Sequence, residues 1–422
     1  MAKYSQQNRS DGVQVEAWSR GIMVALYRVA RLLSLISFRL DREELQLKLS
    51  KSGSRNRILE TVWRILVILT YAGVWPQLSA HQITSQPESY ADLFVSLQSL
   101  SVSILAVLSF IIQAKGEDKF RTVLNRYLAL YRRICAVTGV SQLFPMKFIV
   151  YFLLKSLLTI GGCVHELPPL LKAEHFADVG RSVAVIVGIY MWLGTLFVLD
   201  ACFMGFLVSG ILYEHMASNI QLMLQRMQII ECQDTAVRLS NYQRMRLLCD
   251  YADELDERAA IYSELYEVTI AFRRMLQWQI LFYVYYNFIS ICLMLYQCIL
   301  SYLNANELAL VSLAVATIKL LNLILLIMCA DYAVRESQKP NRLPLDIVCT
   351  DMDQRWDKSV EIFLSQMQTQ RLEIKVLGFF HLNNEFILLI LSATISYLFI
   401  LIQFGITGGF EASDEVRKQF NE

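Results

Sequence analysis

Apolar positions along this chain come in long blocks, and polar positions gather between them. A window of about 20 residues, the length that crosses a bilayer as a helix, finds seven blocks. They are Ile58–Leu78, Tyr90–Ala114, Met146–Glu166, Arg181–Tyr213, Trp278–Leu303, Glu307–Val334 and Val376–Thr407. Each predicts a membrane-spanning helix. An earlier apolar stretch, Gly21 to Leu40, is broken by Arg28, Arg31 and Arg39. Arg28 and Arg31 share a helical face beside Leu32, Leu33 and Ile36. That pattern predicts an amphipathic helix at the interface or against the bundle, not a cleavable signal peptide.

The segments between blocks are also patterned. No glycine falls between Gly210 and Gly378, and no proline between Pro169 and Pro340. Within 214–277, Ile220, Leu224 and Met227, then Leu247, Leu248, Tyr251 and Leu255, recur at helical spacing. Spans 4 and 5 are therefore predicted to run on below the membrane as an antiparallel pair. Asp250, Asp253, Asp256, Glu257, Arg244 and Arg246 read as a solvated face of that pair. Residues 356–375 carry Trp356, Val360, Phe363, Leu364 and Met367 on one helical face, and Gly378 is a plausible break before the last span.

Composition agrees with a membrane protein. Of 422 residues 55% are hydrophobic and 18% charged, where a soluble chain carries about a quarter charged. The net charge of +1 points to no nucleic-acid partner. Its distribution carries the information. Residues 1–57 hold 11 Lys and Arg, and 115–147, 214–277 and 335–375 hold 7 each, 32 on one side. Segments 79–89, 167–181, 304–306 and the tail after Thr407 hold 4 between them. The basic side faces the cytoplasm, so the N-terminus is inside and the C-terminus outside, opposite to a G-protein-coupled receptor. The predicted fold is an all-α membrane protein with seven transmembrane helices, long cytoplasmic extensions of helices 4 to 6 and a split helix 7. Its segments are a cytoplasmic N-terminus with an amphipathic helix (1–57) and helices 1–4 (58–213). A helical extension (214–277), helices 5–6 (278–334), a cytoplasmic segment (335–375), the membrane half of helix 7 (376–407) and a short outer tail (408–422) follow.

Polar groups inside the spans are the candidate chemistry, because each is costly in hydrocarbon without a partner or water. Ser396 and Gln403 are seven residues apart and share a face of the last span with Phe399 and Ile400. That seam faces either a water-filled path or a hydrogen-bonding neighbour helix. The deep charges are Lys155 in span 3, Asp200 in span 4 and Lys319 in span 6. Lys155 and Asp200 differ in depth by about 6 Å at 1.5 Å per residue, a gap that a lysine side chain can close. A structural ion pair, a place in a ligand pocket and snorkelling are the three readings. Arg64, near the inner end of span 1, reads as snorkelling.

The end of the last span carries a family signature. Ser396-Tyr397, five hydrophobic residues and Gln403-Phe404 resemble the Thr-Tyr, five hydrophobic residues, Gln-Phe ending of insect gustatory receptors, a branch of the insect chemoreceptor superfamily. The first position is Ser instead of Thr, and Thr394 lies two positions early. The resemblance implies a ligand-gated, non-selective cation channel built as a homo- or hetero-tetramer in the plasma membrane of a sensory neuron dendrite. It implies that 356–375 is an anchor half and Gly378–Thr407 a pore half. Ser396, Tyr397, Phe399, Ile400, Gln403 and Phe404 become pore or gate residues, with monovalent and divalent cations and membrane lipids as partners. A fourfold hydrophobic ring beside a ring of amides would close by dewetting and replace part of an ion's hydration shell.

The resemblance also implies a pocket for a small-molecule tastant among the outer halves of spans 2 to 6. The matching positions are Phe94, Gln98, His165, Trp192, Tyr296 and Tyr302. An aromatic lining with few polar groups suits a bitter or deterrent compound better than a sugar. Aromatic residues also anchor helices at the interface, which is the competing reading for each. No P-loop, GxSxG, CxxC or metal-ligand spacing appears, so no enzyme activity, cofactor or metal is expected. The nine cysteines read as small core-filling residues. The sequon Asn8-Arg9-Ser10 falls on the cytoplasmic side. A secondary transporter would show paired repeats with broken helices, which are not evident.

Overall fold

The computed structural model describes residues 21–36, 38–41, 46–48, 58–59, 61–73, 90–138, 145–170, 179–233, 240–305, 309–343 and 354–408. Within these, the side chains at 39–41, 46, 90–99, 165–170, 181, 228–233, 241, 303–305, 354 and 404–408 lie outside the description.

Helix α1 covers 21–32. It ends where Ser34 takes a left-handed turn, φ 54°, short of the Leu40 limit of the apolar stretch. A hairpin follows, β1 Arg39–Asp41 antiparallel to β2 Gln46–Lys48. Helix α2 is Thr61–Gly73, and positions 74–78 of the first predicted span lie outside the described residues. The long helices are α3 Tyr90–Thr138, α4 Met146–Leu170, α5 Val179–Gln233, α6 Asn241–Ala305 and α7 Leu310–Gln338. Helix α8, Gln354–Thr369, leads through hairpin β3 Lys375–Val376 and β4 Phe380–His381 into α9, Asn384–Gly408. Six of these helices are long and apolar enough to cross a membrane, and Thr61–Gly73 is a shorter apolar helix. The chain is a multi-pass helical membrane protein.

Several predicted limits fall inside continuous helices. Boundaries 213/214 and 277/278 lie within α5 and α6, because the membrane surface is not a break in backbone hydrogen bonding. Span 2 also runs on, as α3, to Thr138. In contrast α7 stops at Gln338, where Pro340 opens a 3₁₀ turn at Lys339–Arg342. The last span starts at Asn384, not Val376, because Leu377 (φ 50°) and Gly378 (φ 83°) turn the β3–β4 hairpin. Residues 370–375 likewise leave the helix predicted for 356–375.

Helix α5 forms the centre, packed against α3, α6 and α7. Phe203, Phe206, Leu207, Ile211, Tyr213, Met216 and Ile220 are all fully buried. Two glycines set the closeness. A Cβ on Gly205 would lie 2.1 Å from the Phe272 ring of α6, and one on Gly210 2.4 Å from the Tyr332 ring of α7. Below the membrane half, Tyr127 of α3 and Ser209 of α5 share a 2.7 Å hydrogen bond, and Tyr127 also donates to Thr269 of α6 at 3.4 Å. At the inner rim, Glu214 accepts from Lys147 at 3.3 Å and from Tyr332, joining α4, α5 and α7.

The N-terminal segment is bound to the bundle. Tyr190 of α5 donates to the Leu33 carbonyl at 2.7 Å, and Arg64 of α2 to the Ser34 carbonyl at 2.5 Å. Arg64 is 4% exposed and pairs with Glu117 of α3 at 2.8 Å. It does not snorkel, because a buried carboxylate and a carbonyl hold its charge inside. The β1–β2 hairpin docks on α3 through Asn125, whose side chain accepts from the Leu47 amide at 2.7 Å and donates to its carbonyl at 3.1 Å.

Candidate functional site

Helix α9 begins with a side-chain cap. The Phe386 amide donates to Asn383 Oδ1 at 3.1 Å, and Glu385 sits in the first turn, where the helix dipole favours an anion. One face then packs on α6 and α7. Phe386, Ile390 and Thr394 are its buried positions, spaced four apart. The Thr394 hydroxyl donates back to the Ile390 carbonyl at 2.8 Å, so it needs no other acceptor in the apolar contact.

The opposite face is exposed in the single chain. Ser392, Ser396, Phe399, Ile400 and Gln403 lie along it. Ser396 Oγ donates to the Ser392 carbonyl at 3.0 Å. Ser392 extends the polar seam inward by one turn, and the four-residue step from Ser396 is the signal that could have found it. Tyr397 stands apart from this stripe. It is rotated about 100° from Ser396 and meets Phe288 of α6 edge-on, ring centroids 5.5 Å apart. It is nonetheless half exposed. The side chain of Phe404 lies outside the described residues.

The contrast with α4 defines what this exposed face is. Among the six spanning-length helices of the described residues, α4 and α9 are the least buried, 22% and 17% of their apolar windows. On α4 the outward residues are Val150, Leu153, Leu154, Leu157, Ile160 and Val164, a face that suits lipid. On α9 the outward face mixes Leu388, Leu389 and Phe399 with Ser392, Ser396 and Gln403. The Ser396 hydroxyl is served by its own helix, so what sets this face apart from that of α4 is its exposed polar stripe, which is costly against hydrocarbon alone.

The deep charges form a polar core between four helices. Lys155 of α4 lies 3.2 Å from Asp200 of α5, with side chains 5% and 27% exposed. Its ammonium also donates to Asn322 of α7 and lies 5.9 Å from the Tyr283 ring centre of α6. Thr159 donates to Asp200 at 3.3 Å. Lys319 is separate. On α7, nearer its outer end, it donates to Tyr286 and Ser290 of α6 at 2.8 Å each. Asn322, Thr159, Tyr283, Tyr286 and Ser290 were not singled out from sequence. Asn322 was the findable one, an amide in an otherwise apolar span.

The predicted pocket residues lie on four helices, α3 to α6. Phe94 and Gln98 belong to the first turns of α3 and His165 to α4, with side chains outside the described residues. Trp192 is half buried on α5, Tyr296 fully buried on α6, and Tyr302 half exposed at the outer end of α6. Among the described residues no group of His, Cys, Asp and Glu is arranged to hold a metal ion.

Six long apolar helices and a shorter apolar helix, with a capped final helix packed on α6 and α7, make up a multi-pass helical membrane bundle. A family model described as the 7tm chemosensory receptor matches residues 24–408, and the chain belongs to that family, which is one of receptors and not of enzymes. It is 64% identical over 418 residues to the gustatory receptor for bitter taste 93a of Drosophila melanogaster, covering 99% of this chain and all of the relative. The putative gustatory receptor 93b of the same species is 25% identical, covering 88% of this chain and 90% of its own length. Among solved structures, the insect olfactory receptor OR5 from Machilis hrabei superposes with a TM-score of 0.62 at 14% identity, covering 93% of this chain and 99% of that one. The fold is therefore that of an insect chemoreceptor.

Proposed function

We propose that this chain is a subunit of a ligand-gated cation channel that senses bitter small molecules at the plasma membrane of a sensory neuron. The observation that carries the channel reading is the exposed polar seam of α9, Ser392, Ser396 and Gln403. Four copies around an axis, alike or mixed with related subunits, would turn that seam into the wall of a water-filled path. Ser396 and Gln403 then supply rings of hydroxyls and amides, and Phe399 and Ile400 the apolar constriction. The bitter reading follows the relative named for bitter taste at 64% identity.

Gating is a population shift between closed and open arrangements. A ligand that binds the open one better displaces α6 and α7 against α5, and α9 follows because its buried face lies on both. The polar core at Lys155, Asp200 and Asn322 joins α4, α5 and α7 across the ligand-facing half. The test is expression in a non-neuronal cell with quinine, denatonium, caffeine and sucrose applied in turn under G-protein block. Current evoked by a bitter compound supports the reading. Responses that vanish under the block revive a G-protein-coupled receptor. Stoichiometric uptake without channel conductance points to a transporter, and current to sucrose alone overturns the ligand class.

A further inference from the structure

The link between the two halves of the last span is stapled to α6 and is not a free hinge. Four contacts show this. Gln366 of α8 donates to the Ala259 carbonyl at 3.2 Å, and Gln370 donates to Ser263 Oγ at 2.9 Å. Arg273 Nη1 then donates to the carbonyl of Glu373 at 2.6 Å, just before β3. The segment leading into β3 is buried, Leu372, Ile374 and Val376 being almost wholly enclosed, and β3 lies against α6. The hairpin is closed by the Leu382 amide donating to the Ile374 carbonyl at 2.9 Å. Its far strand is stacked on the pore helix, Phe380 against Phe386 at 4.2 Å with the rings 5° from parallel.

The staple therefore runs from α6, through Arg273, to a hairpin in register with the first turn of α9. We infer that Arg273 is a positioning residue for gating: it makes the base of α9 move with α6. This rests on the reading of α9 as a pore helix. A guanidinium suits the task. It is always charged, and a charge-assisted bond to a carbonyl is stronger than a neutral one. The Nε beside it is enclosed without an acceptor, so the carbonyl of Glu373 carries the head's contact with the link. The alternative device, a mobile glycine hinge at Gly378, does not fit. Gly378 closes a turn between the paired strands β3 and β4, the first of which packs on α6.

Two measurements on the full-length protein test this. Hydrogen exchange in purified wild type, Arg273→Ala and Arg273→Lys reads the 374–382 amides. Removing one charged hydrogen bond is expected to speed their exchange about tenfold in Arg273→Ala, with Lys recovering most of it. Unchanged exchange overturns the staple. Dose–response curves to quinine, denatonium and caffeine, at matched surface density, read the gating role. Arg273→Ala is expected to lower maximal current severalfold with a smaller change in half-maximal concentration, and Arg273→Lys to restore it. Faster exchange with an unchanged maximal current and midpoint overturns the positioning role. A loss of current that only follows a loss of surface protein overturns it too. A wild type silent to the whole panel removes the channel reading and this assignment together, whereas a responsive wild type matched by Arg273→Ala removes this assignment alone.

Discussion

Lys155 and Asp200 meet at 3.2 Å between α4 and α5, and the lysine is almost wholly enclosed. The contact ties a peripheral helix to the central one, and Asn322 brings in α7. Removing one partner strands the other charge. Asp200→Ala and Lys155→Met are each expected to cost about 3–5 kcal/mol, whereas the double apolar replacement is far milder. Thermal midpoints of purified protein check this, with surface labelling beside them. A loss in the double variant equal to the sum of the two single losses would show that the pair is not coupled.

Gln403→Ala is expected to change permeation or gating while leaving surface expression normal, because Gln403 is exposed in the single chain and lies opposite the buried face of α9. Reversal potentials in mixed sodium and calcium solutions read the change. Currents identical to wild type would remove Gln403 from the path. Ser392→Ala on the same seam is expected to act more weakly, since Ser396 remains one turn away.

Gly205→Ala is expected to destabilise the fold by about 1–3 kcal/mol, the usual cost of forcing extra volume into a packed contact. The added methyl would meet the Phe272 ring at 2.1 Å. Phe272→Leu on the same background should recover part of the loss. A thermal midpoint equal to wild type in Gly205→Ala would show that α5 and α6 separate easily.

Orientation has its own check. A tag at the N-terminus is expected to bind antibody only after permeabilisation, and a tag after Thr407 without it, given 32 basic residues on one side and 4 on the other. The reverse pattern would invert every inside and outside assignment made for the helices.

Much of this architecture is legible in sequence because hydropathy and charge are one-dimensional signals. The long helices follow from them, as does the polar seam on the final span. What stayed hidden is set by partners distant in the chain. Arg64 looked like a rim residue, but its acceptor Glu117 is 53 positions away. The continuation of α3 past Ala114 was masked by Lys115, Gly116, Glu117 and Asp118, which read as a loop and prove to be a helix turn. The β1–β2 and β3–β4 hairpins have strands of three and two residues, too short to show a period. Tyr397 shares the sequence motif with Gln403 and is also exposed, yet one edge of its ring meets Phe288 of α6, a contact that motif spacing does not reveal.

The clasp on the N-terminal segment has a consequence for synthesis. The carbonyl of Leu33 is held by Tyr190, 157 residues later in the chain. No such bond can form until five helices have been made and the fifth has entered the membrane. Leu33 and Ser34 thus leave the ribosome early and dock late, closing the bundle from its first-made end. Lesions there would act as assembly faults, felt only once α5 has been made and has met the N-terminal segment.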